Sequence, residues 1–532
     1  MNAVKARILI ADPLNDKGAG ILKDGGLQTD TRPGLSEAQI CEIIGQYDGL
    51  IVRSATKVTP KIIEAGRKLK VIGRAGVGVD NIDLKAATKA GVIVENTPLG
   101  NITSAAEHAL ALLFSSVRNI PRADREMRAG NWNRKLTGVE LTEKTIGIVG
   151  MGKVGGIVAR VAHALDMTIL VYDPYLTARK AEELNVRKCE LDALLSASDF
   201  VSIHTPLTPE TKNLINKDKM KLMKKSARII NAARGGIVNE ADLIEALKSG
   251  QIAGAALDVF EKEPLAADSA LKTLDNAVLT PHLGASTEEA QERVAEDIAK
   301  QFVEFFRDGV IRNAVNLGVT LNPKLANFAK LAEQLGAMAG QMAKEPISKL
   351  EVGTYGKLAS EDTRELGLSA LKGLLTRGNE VPVTLVNAPS LAEGRGVELV
   401  QQKSEQTRDY SNLLTVAAIG SKTQHALAGT WFEGQEGGRI VRIDDFDIDL
   451  KPAPTMLLMF YPDRPGMVGK VGTILGEADI NIANMAVGRR EKRGQAVIAL
   501  TLDDVVPQNV LAKISAAITV DELCAIELPN ER

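Results

Sequence analysis

Short apolar runs, each closed by a turn-forming or polar residue, recur through the first half of the chain. Arg7-Ile-Leu-Ile-Ala stops at Asp12-Pro13, and Gly49-Leu-Ile-Val, Lys70-Val-Ile-Gly and Val92-Ile-Val-Glu repeat the form. Such runs read as strands buried on both faces. Helical spacing fills the gaps, as in Ser36-Glu-Ala-Gln-Ile-Cys-Glu-Ile-Ile and Leu84-Lys-Ala-Ala-Thr-Lys-Ala. Strands that alternate with helices imply a parallel sheet covered on both sides. Pro98 interrupts the alternation, and an Ala/Leu-rich helix is expected from Ile102 to Val117. Strands resume at Thr145-Ile-Gly-Ile-Val, Thr168-Ile-Leu-Val-Tyr, Phe200-Val-Ser-Ile, Ala227-Arg-Ile-Ile-Asn, Gly254-Ala-Ala-Leu-Asp and Ala277-Val-Leu-Thr, enough for a complete doubly wound dinucleotide-binding unit.

A helix from Ser286 to Asp308 is expected to carry the chain back to the first unit. The expected class is therefore α/β: a Rossmann-type cofactor domain (99–285) inserted in a flavodoxin-like substrate domain (1–98 plus 286–315). Two crossings would act as a hinge, with the substrate cleft between the lobes. Asn313-Ala-Val-Asn-Leu-Gly-Val-Thr-Leu-Asn-Pro reads as a linker into an α/β intervening domain (316–452) that lacks a chemical signature. The remainder (453–532) reads strand, helix, two strands, helix, strand, which is the ferredoxin-like βαββαβ order.

Composition narrows the function. A net charge of −2 offers no basic field for nucleic acid. Cys41, Cys189 and Cys524 are far apart and form no CxxC, so neither a zinc site nor a disulfide framework is expected. Met1-Asn-Ala-Val-Lys-Ala-Arg lacks the apolar core of a signal peptide, and no apolar run nears the ~20 residues a bilayer needs. The expectation is a cytoplasmic protein with no membrane or nucleic-acid partner and no metal.

Gly150-Met-Gly-Lys-Val-Gly follows one predicted strand and opens a predicted helix, and the next strand ends at Asp173. This context distinguishes a dinucleotide fingerprint from an isolated GxGxxG, which is a weak signal. Gly150 would permit the tight turn, Gly152 the close approach of a pyrophosphate, and Gly155 close helix–strand packing. Lys153 and Val154 begin the helix whose free N–H groups would face the phosphates. Asp173 is placed to bond ribose hydroxyls and to repel a 2′-phosphate, which favours NAD over NADP.

Three residues could carry proton chemistry. His282 follows Pro281 at a strand end, Glu263 precedes Pro264, and Arg234 precedes two glycines. Imidazole suits acid–base work near neutral pH, a carboxylate can orient it, and a guanidinium can grip a substrate carboxylate bidentately. Singly, each is better explained as a turn or a surface ion pair. Together, at strand ends of one cofactor unit, they point to hydride transfer on a 2-hydroxy acid. Of the other histidines, His108 and His163 sit in helical patterns and read as structural, His204 ends a strand, and His425 lies in the signature-free region.

Gly73-Arg-Ala-Gly-Val-Gly-Val-Asp-Asn-Ile-Asp, the glycine fingerprint, Asn231–Val238, Leu257–Pro264 and Pro281–Thr287 together resemble the D-isomer-specific 2-hydroxyacid dehydrogenases, in particular the branch acting on a phosphorylated glycerate. The resemblance implies that Arg234 binds the substrate carboxylate, His282 exchanges the proton and Glu263 supports it. It puts Thr205, Ala232, Ala233, Arg234, Asp258 and the loop His282–Gly284 beside NAD, with Val77 where relatives often carry Thr. It also implies that Arg53, Ser54, Arg74 and Arg134 recognise the phosphorylated substrate, Arg134 from its own or a neighbouring subunit. Gly438-Arg-Ile-Val-Arg-Ile-Asp-Asp-Phe resembles the intervening domain of the long members, and Tyr461-Pro-Asp-Arg-Pro-Gly-Met the ligand loop of an ACT domain, whose Tyr461, Asp463 and Asn481 would hold L-serine. The implied activity is NAD-dependent oxidation of 3-phospho-D-glycerate to 3-phosphohydroxypyruvate, the first step of L-serine synthesis, by a homotetramer. The alternatives are another dehydrogenase of the family, reducing glyoxylate or hydroxypyruvate, and an NAD-sensing corepressor on the same fold. Turnover separates the last from the others.

Overall fold

The computed structural model describes residues 6–319, 321–376, 382–407, 409–432 and 437–528. Its first sheet is all parallel, in the order Gln28–Thr31, Arg7–Ile10, Gly49–Val52, Val71–Arg74, Ile93–Asn96. The last four strands in this order are the apolar runs. The edge strand Gln28–Thr31 has no apolar residue, because an edge is only partly covered and needs none. The helix Ile102–Val117 then leads to a seven-stranded parallel sheet: Ala277–Leu279, Gly254–Leu257, Arg228–Asn231, Phe200–Ile203, Thr145–Val149, Thr168–Tyr172, Arg187–Lys188. Six of these strands were expected; the seventh is two exposed basic residues with no pattern to read.

The order of this sheet reverses between Thr145–Val149 and Phe200–Ile203. Open α/β sheets bind ligands at that point, beyond the carboxyl ends of the strands. The helix Glu288–Asp308 returns to the first sheet, capped by the Thr287 hydroxyl, and buries Ile298, Phe302 and Val303 against Ile8, Ile10 and Val71. Its helical periodicity places those residues on one face.

Past the linker, a mixed six-stranded sheet (Glu398–Ser404, Lys349–Gly356, Asn412–Ile419, Gln424–Thr430, Arg439–Ile443, Phe446–Leu450) packs beneath the helices Ala326–Met342 and Arg364–Leu375. The C-terminal sheet is antiparallel and ferredoxin-like, in the order Ile482–Arg489, Gln495–Leu502, Thr455–Pro462, Glu522–Glu527. Along Thr455–Pro462 the side chains alternate as a strand requires. Leu457, Met459 and Tyr461 face this unit's own helices, while Met456, Leu458 and Phe460 enter the core of the intervening unit. One strand thus contributes to two cores. Among the described residues, no helix is long and apolar enough to cross a membrane.

Candidate active site

The glycine turn has the form its spacing implies. Gly150 adopts φ +96°, and a Cβ on Gly155 would lie 2.2 Å from the Gly150 carbonyl oxygen. Above Gly152 there is open space. Gly152 also caps the helix Lys153–Ala164 without any side-chain bond, so the first N–H groups of that helix, at Lys153 and Val154, face outward at its positive end. Asp173 closes the neighbouring strand, its carboxylate accepting from the N–H of Met151 at 2.7 Å and of Tyr175 at 2.8 Å. Across the turn, the Thr205 hydroxyl is buried without a hydrogen-bond partner. Ala232 and Ala233 follow the strand Arg228–Asn231, half-buried, with the Ala233 N–H held by the Asn231 side chain at 3.1 Å. An open space over glycine, a free helix start and an unpartnered hydroxyl make a cradle that fits a dinucleotide.

His282 and Glu263 meet at the carboxyl end of the same sheet. The His282 Nδ1 lies 2.7 Å from Glu263 Oε2, and the N–H of Phe260 donates to Glu263 Oε1 at 3.1 Å. Burial pushes the Glu263 carboxyl up, but the bonds from His282 and Phe260 outweigh it and hold the pKa below the ordinary value. His282 itself has φ +56°, a left-handed conformation uncommon outside glycine.

That conformation is held by Asp258, which is fully buried. One carboxylate oxygen accepts from the Thr280 hydroxyl at 2.6 Å and the Leu283 N–H at 2.8 Å, the other from the Gly284 N–H at 2.9 Å. His108 Nε2 stands 3.0 Å from the first oxygen. Burial opposes the charge of Asp258, yet His108, Thr280 and Leu283 hold its pKa below the ordinary value. The Asp258 carboxylate is enclosed by donors of the protein, under the loop that carries His282 and Gly284. The helix Ile102–Val117 adds a second clamp one turn before His108, where the Ser104 hydroxyl donates to the Gly284 carbonyl at 2.8 Å. His108 and Ser104 were missed as site residues. The signal was their i, i+4 spacing, which puts two polar groups on one face of an otherwise apolar helix. His204 bonds Ser202 at 2.9 Å, and burial pushes its pKa down to about 4, which leaves it neutral.

Arg234 reaches across to the first unit. Its Nε donates to Asp80 at 3.2 Å and its Nη1 to the Ala233 carbonyl at 2.7 Å. A Cβ on Gly78 would sit 2.1 Å from the Arg234 Nη2, so the guanidinium lies directly on the Gly78 backbone. Beside it, Arg74 buries its Nε without a partner. Burial first, and then the nearby charge of Arg234, push the Arg74 pKa down to about 10, and Arg53 acts in the same direction. The Arg53 N–H is fixed by Asp12 at 2.6 Å, Ser54 next to it is exposed, and the Val77 carbonyl accepts from Asn96 at 2.6 Å. Three guanidiniums thus stand close enough to act on one another, with the carboxylates of Asp80 and Asp12 partly offsetting their repulsion at Arg74. Arg134 stands apart: it is exposed, beyond the helix Ile120–Arg128, and shares no ion pair or hydrogen bond with the site among the described residues.

The three effector candidates have separate partners within one chain. Tyr461 is a core residue, 1% exposed, not a free group on a loop. The register of its strand turns it toward the helices. The Asp463 carboxylate lies 3.7 Å from Arg489, and the Asn481 amide donates to Asp503 at 2.7 Å.

Family models match three stretches: the NAD binding domain of D-isomer specific 2-hydroxyacid dehydrogenases at 110–284, the D-3-phosphoglycerate dehydrogenase intervening domain at 324–444, and the ACT domain at 455–519. A D-3-phosphoglycerate dehydrogenase of Synechocystis is 44% identical over 528 residues, covering 98% of this chain and 95% of that one. The chain belongs to the D-3-phosphoglycerate dehydrogenase family. The Archaeoglobus fulgidus member is 39% identical over 98% of this dehydrogenase and 100% of its own length. Among solved structures, a Thermus thermophilus protein matches with a TM-score of 0.54 at 34% identity, over 58% of this chain and 99% of its own. A glyoxylate reductase from Paecilomyes thermophila matches with 0.54 at 28% identity, over 58% and 98%.

Proposed function

We propose that this enzyme oxidises 3-phospho-D-glycerate to 3-phosphohydroxypyruvate with NAD, the reaction that opens L-serine synthesis. What supports the reading is the grouping of Arg53, Arg74 and Arg234, together with the packing of Gly235, next to Arg234, on the Phe260 carbonyl of the loop whose Glu263 bonds His282. Arg234 takes the substrate carboxylate in a bidentate grip, which fixes C2. Arg74 and Arg53, with Ser54, take the phosphate, which carries nearly two charges. Glu263 occupies the Nδ1 side of His282, so Nε2 is the free nitrogen and accepts the C2 hydroxyl proton. The imidazolium so formed is paired with the Glu263 carboxylate.

NAD would be held by the turn Gly150–Gly155, Asp173, Thr205, Ala232–Arg234, the loop His282–Gly284 over Asp258, and the backbone at Val77. When bound, it supplies the acceptor for the hydride that leaves C2. Arg234 already touches both units, through Asp80 and Ala233, so closure about the hinge would tighten its grip and exclude water.

Four finer readings go with this one: a homotetramer, a cytoplasmic location, L-serine acting at the ACT unit through Asp463 and Asn481, and Arg134 serving the substrate from its own or a neighbouring subunit. The test is NADH production from phosphoglycerate, with and without L-serine, against glycerate and lactate. Absence of turnover with phosphoglycerate, or equal turnover of glycerate, defeats the proposal.

A further inference from the structure

A cavity of about 270 Å³ lies where the returning helix Glu288–Asp308 hands the chain to the intervening unit. Ile311, Leu321 and Ala329 give it an apolar wall. The other wall is one face of the helix Arg364–Leu375, where Glu365, Ser369 and Lys372 follow at helical spacing. The cavity is far larger than one water, whose share of liquid volume is about 30 Å³.

Glu365 is the unusual member. It is 3% exposed, and its Oε2 accepts from the Asn322 N–H at 2.8 Å. Its Oε1 is buried with no partner among the described residues. Neither lysine that lines the cavity answers it: Lys372 is paired with Glu333 at 2.7 Å, and Lys330 does not bond that oxygen. Burial pushes the Glu365 carboxyl up to about 6, so near neutral pH most of it still carries charge. A buried, charged acceptor left without a donor is costly, whereas a buried charge that is paired is tolerated. The cheapest remedy is a ligand that brings a cationic N–H and fills the apolar side with carbon.

We propose that this cavity binds a small primary ammonium compound, its N–H₃⁺ donating to Glu365 Oε1 and its short aliphatic body packed against Ile311, Leu321 and Ala329. The site lies away from the catalytic cleft, and its occupation would pin the intervening unit to the segment that leaves the returning helix.

The test is calorimetric titration of the full-length protein with isobutylammonium chloride, isobutanol and sodium isobutyrate. The expected result is one saturable site per chain for the ammonium, at least tenfold weaker binding of the alcohol, and none of the carboxylate. Glu365→Gln keeps an acceptor for Asn322 and puts an amide where the free oxygen was, so ammonium affinity should drop about tenfold or more. Ala329→Phe fills the cavity from the opposite wall and should abolish binding without touching the carboxylate. Melting curves and turnover with phosphoglycerate show that each variant is folded. No saturable binding to the parent, equal affinity for ammonium and alcohol, or undiminished binding by a folded Glu365→Gln protein would overturn the proposal.

Discussion

Arg74→Met separates a binding residue from a packing residue, because the two predict opposite signs for stability. The guanidinium of Arg74 is pushed from its ordinary 12.5 to about 10 by burial and by the charges of Arg234 and Arg53. At about 1.36 kcal/mol for each unit of pKa, this corresponds to ~3 kcal/mol of strain, which solvent reaching a half-buried side chain reduces to ~1–3 kcal/mol. The sign is fixed by linkage. A base whose pKa is lowered on folding destabilises the native state at every pH below the lowered value, and the penalty vanishes only as pH rises past it. Substrate-free protein near neutrality therefore carries the full cost. Methionine keeps the aliphatic stem and removes the charge, so melting temperature should rise by a few degrees.

Substrate binding should move the other way. A charge-assisted bond to phosphate contributes about 1.5–3 kcal/mol, which is roughly 10- to 150-fold in KM for phosphoglycerate. Affinity for NAD should stay within about twofold, since Arg74 lies on the first unit, away from the glycine turn. Steady-state kinetics, NAD titration and scanning calorimetry in phosphate-free buffer measure the three quantities. A KM left unchanged, or a fall in melting temperature accompanying the rise in KM, would refute the reasoning and make Arg74 a packing residue.

Four other outcomes are expected. Glu263→Gln should lower kcat about tenfold with little change in KM, the modest figure reflecting a pair that is partly exposed to water; initial rates at saturating substrate test it. Gly235→Ala should cost ~1–3 kcal/mol and depress kcat and KM performance together, because its Cβ would lie 1.8 Å from the Phe260 carbonyl and so drive the Arg234 and Glu263 loops apart; melting and kinetics on one preparation check both. His108→Leu should leave Asp258 short of a buried donor, lowering kcat and costing ~1–3 kcal/mol, with Asn or Gln restoring kcat better than Leu if the bond is what matters. Glu95, fully buried, is raised from 4.5 to about 7, so its ionisation destabilises the fold progressively as pH climbs from 4.5 to 7; Glu95→Gln should therefore raise the melting temperature at pH 8 and not at pH 4.5.

What the sequence makes legible is what periodicity and backbone chemistry encode. The helix Ile102–Val117 was placed to the residue, since its Ala/Leu face must be buried against the cofactor unit. The βαββαβ order of the last unit followed from apolar alternation, and the glycine turn from two positions that forbid a side chain, Gly150 and Gly155, with open space above the third. Strands that make no core contribution left no trace: Gln28–Thr31 and Arg187–Lys188 belong to their sheets by backbone bonding alone. Tyr461 lies within the strand Thr455–Pro462, whose register delivers its ring to the core of the last unit.

The site was legible where chemistry is local and illegible where it is assembled from afar. Arg, Glu and His at strand ends announce themselves, but the reason His282 holds its left-handed conformation does not. A left-handed histidine persists only if its surroundings over-determine it. Here that work is divided between Asp258, one strand away, and Ser104 and His108, on a helix more than 170 residues earlier in the chain. No spacing rule connects residues so far apart in sequence. Because Ser104 and His108 both lie on the one helix Ile102–Val117, a displacement of that helix is expected to disturb the posture of His282. Replacing Ser104 by Ala removes one clamp without altering charge. If the linkage holds, that change acts on kcat while leaving the Glu263–His282 pair and the cation set intact.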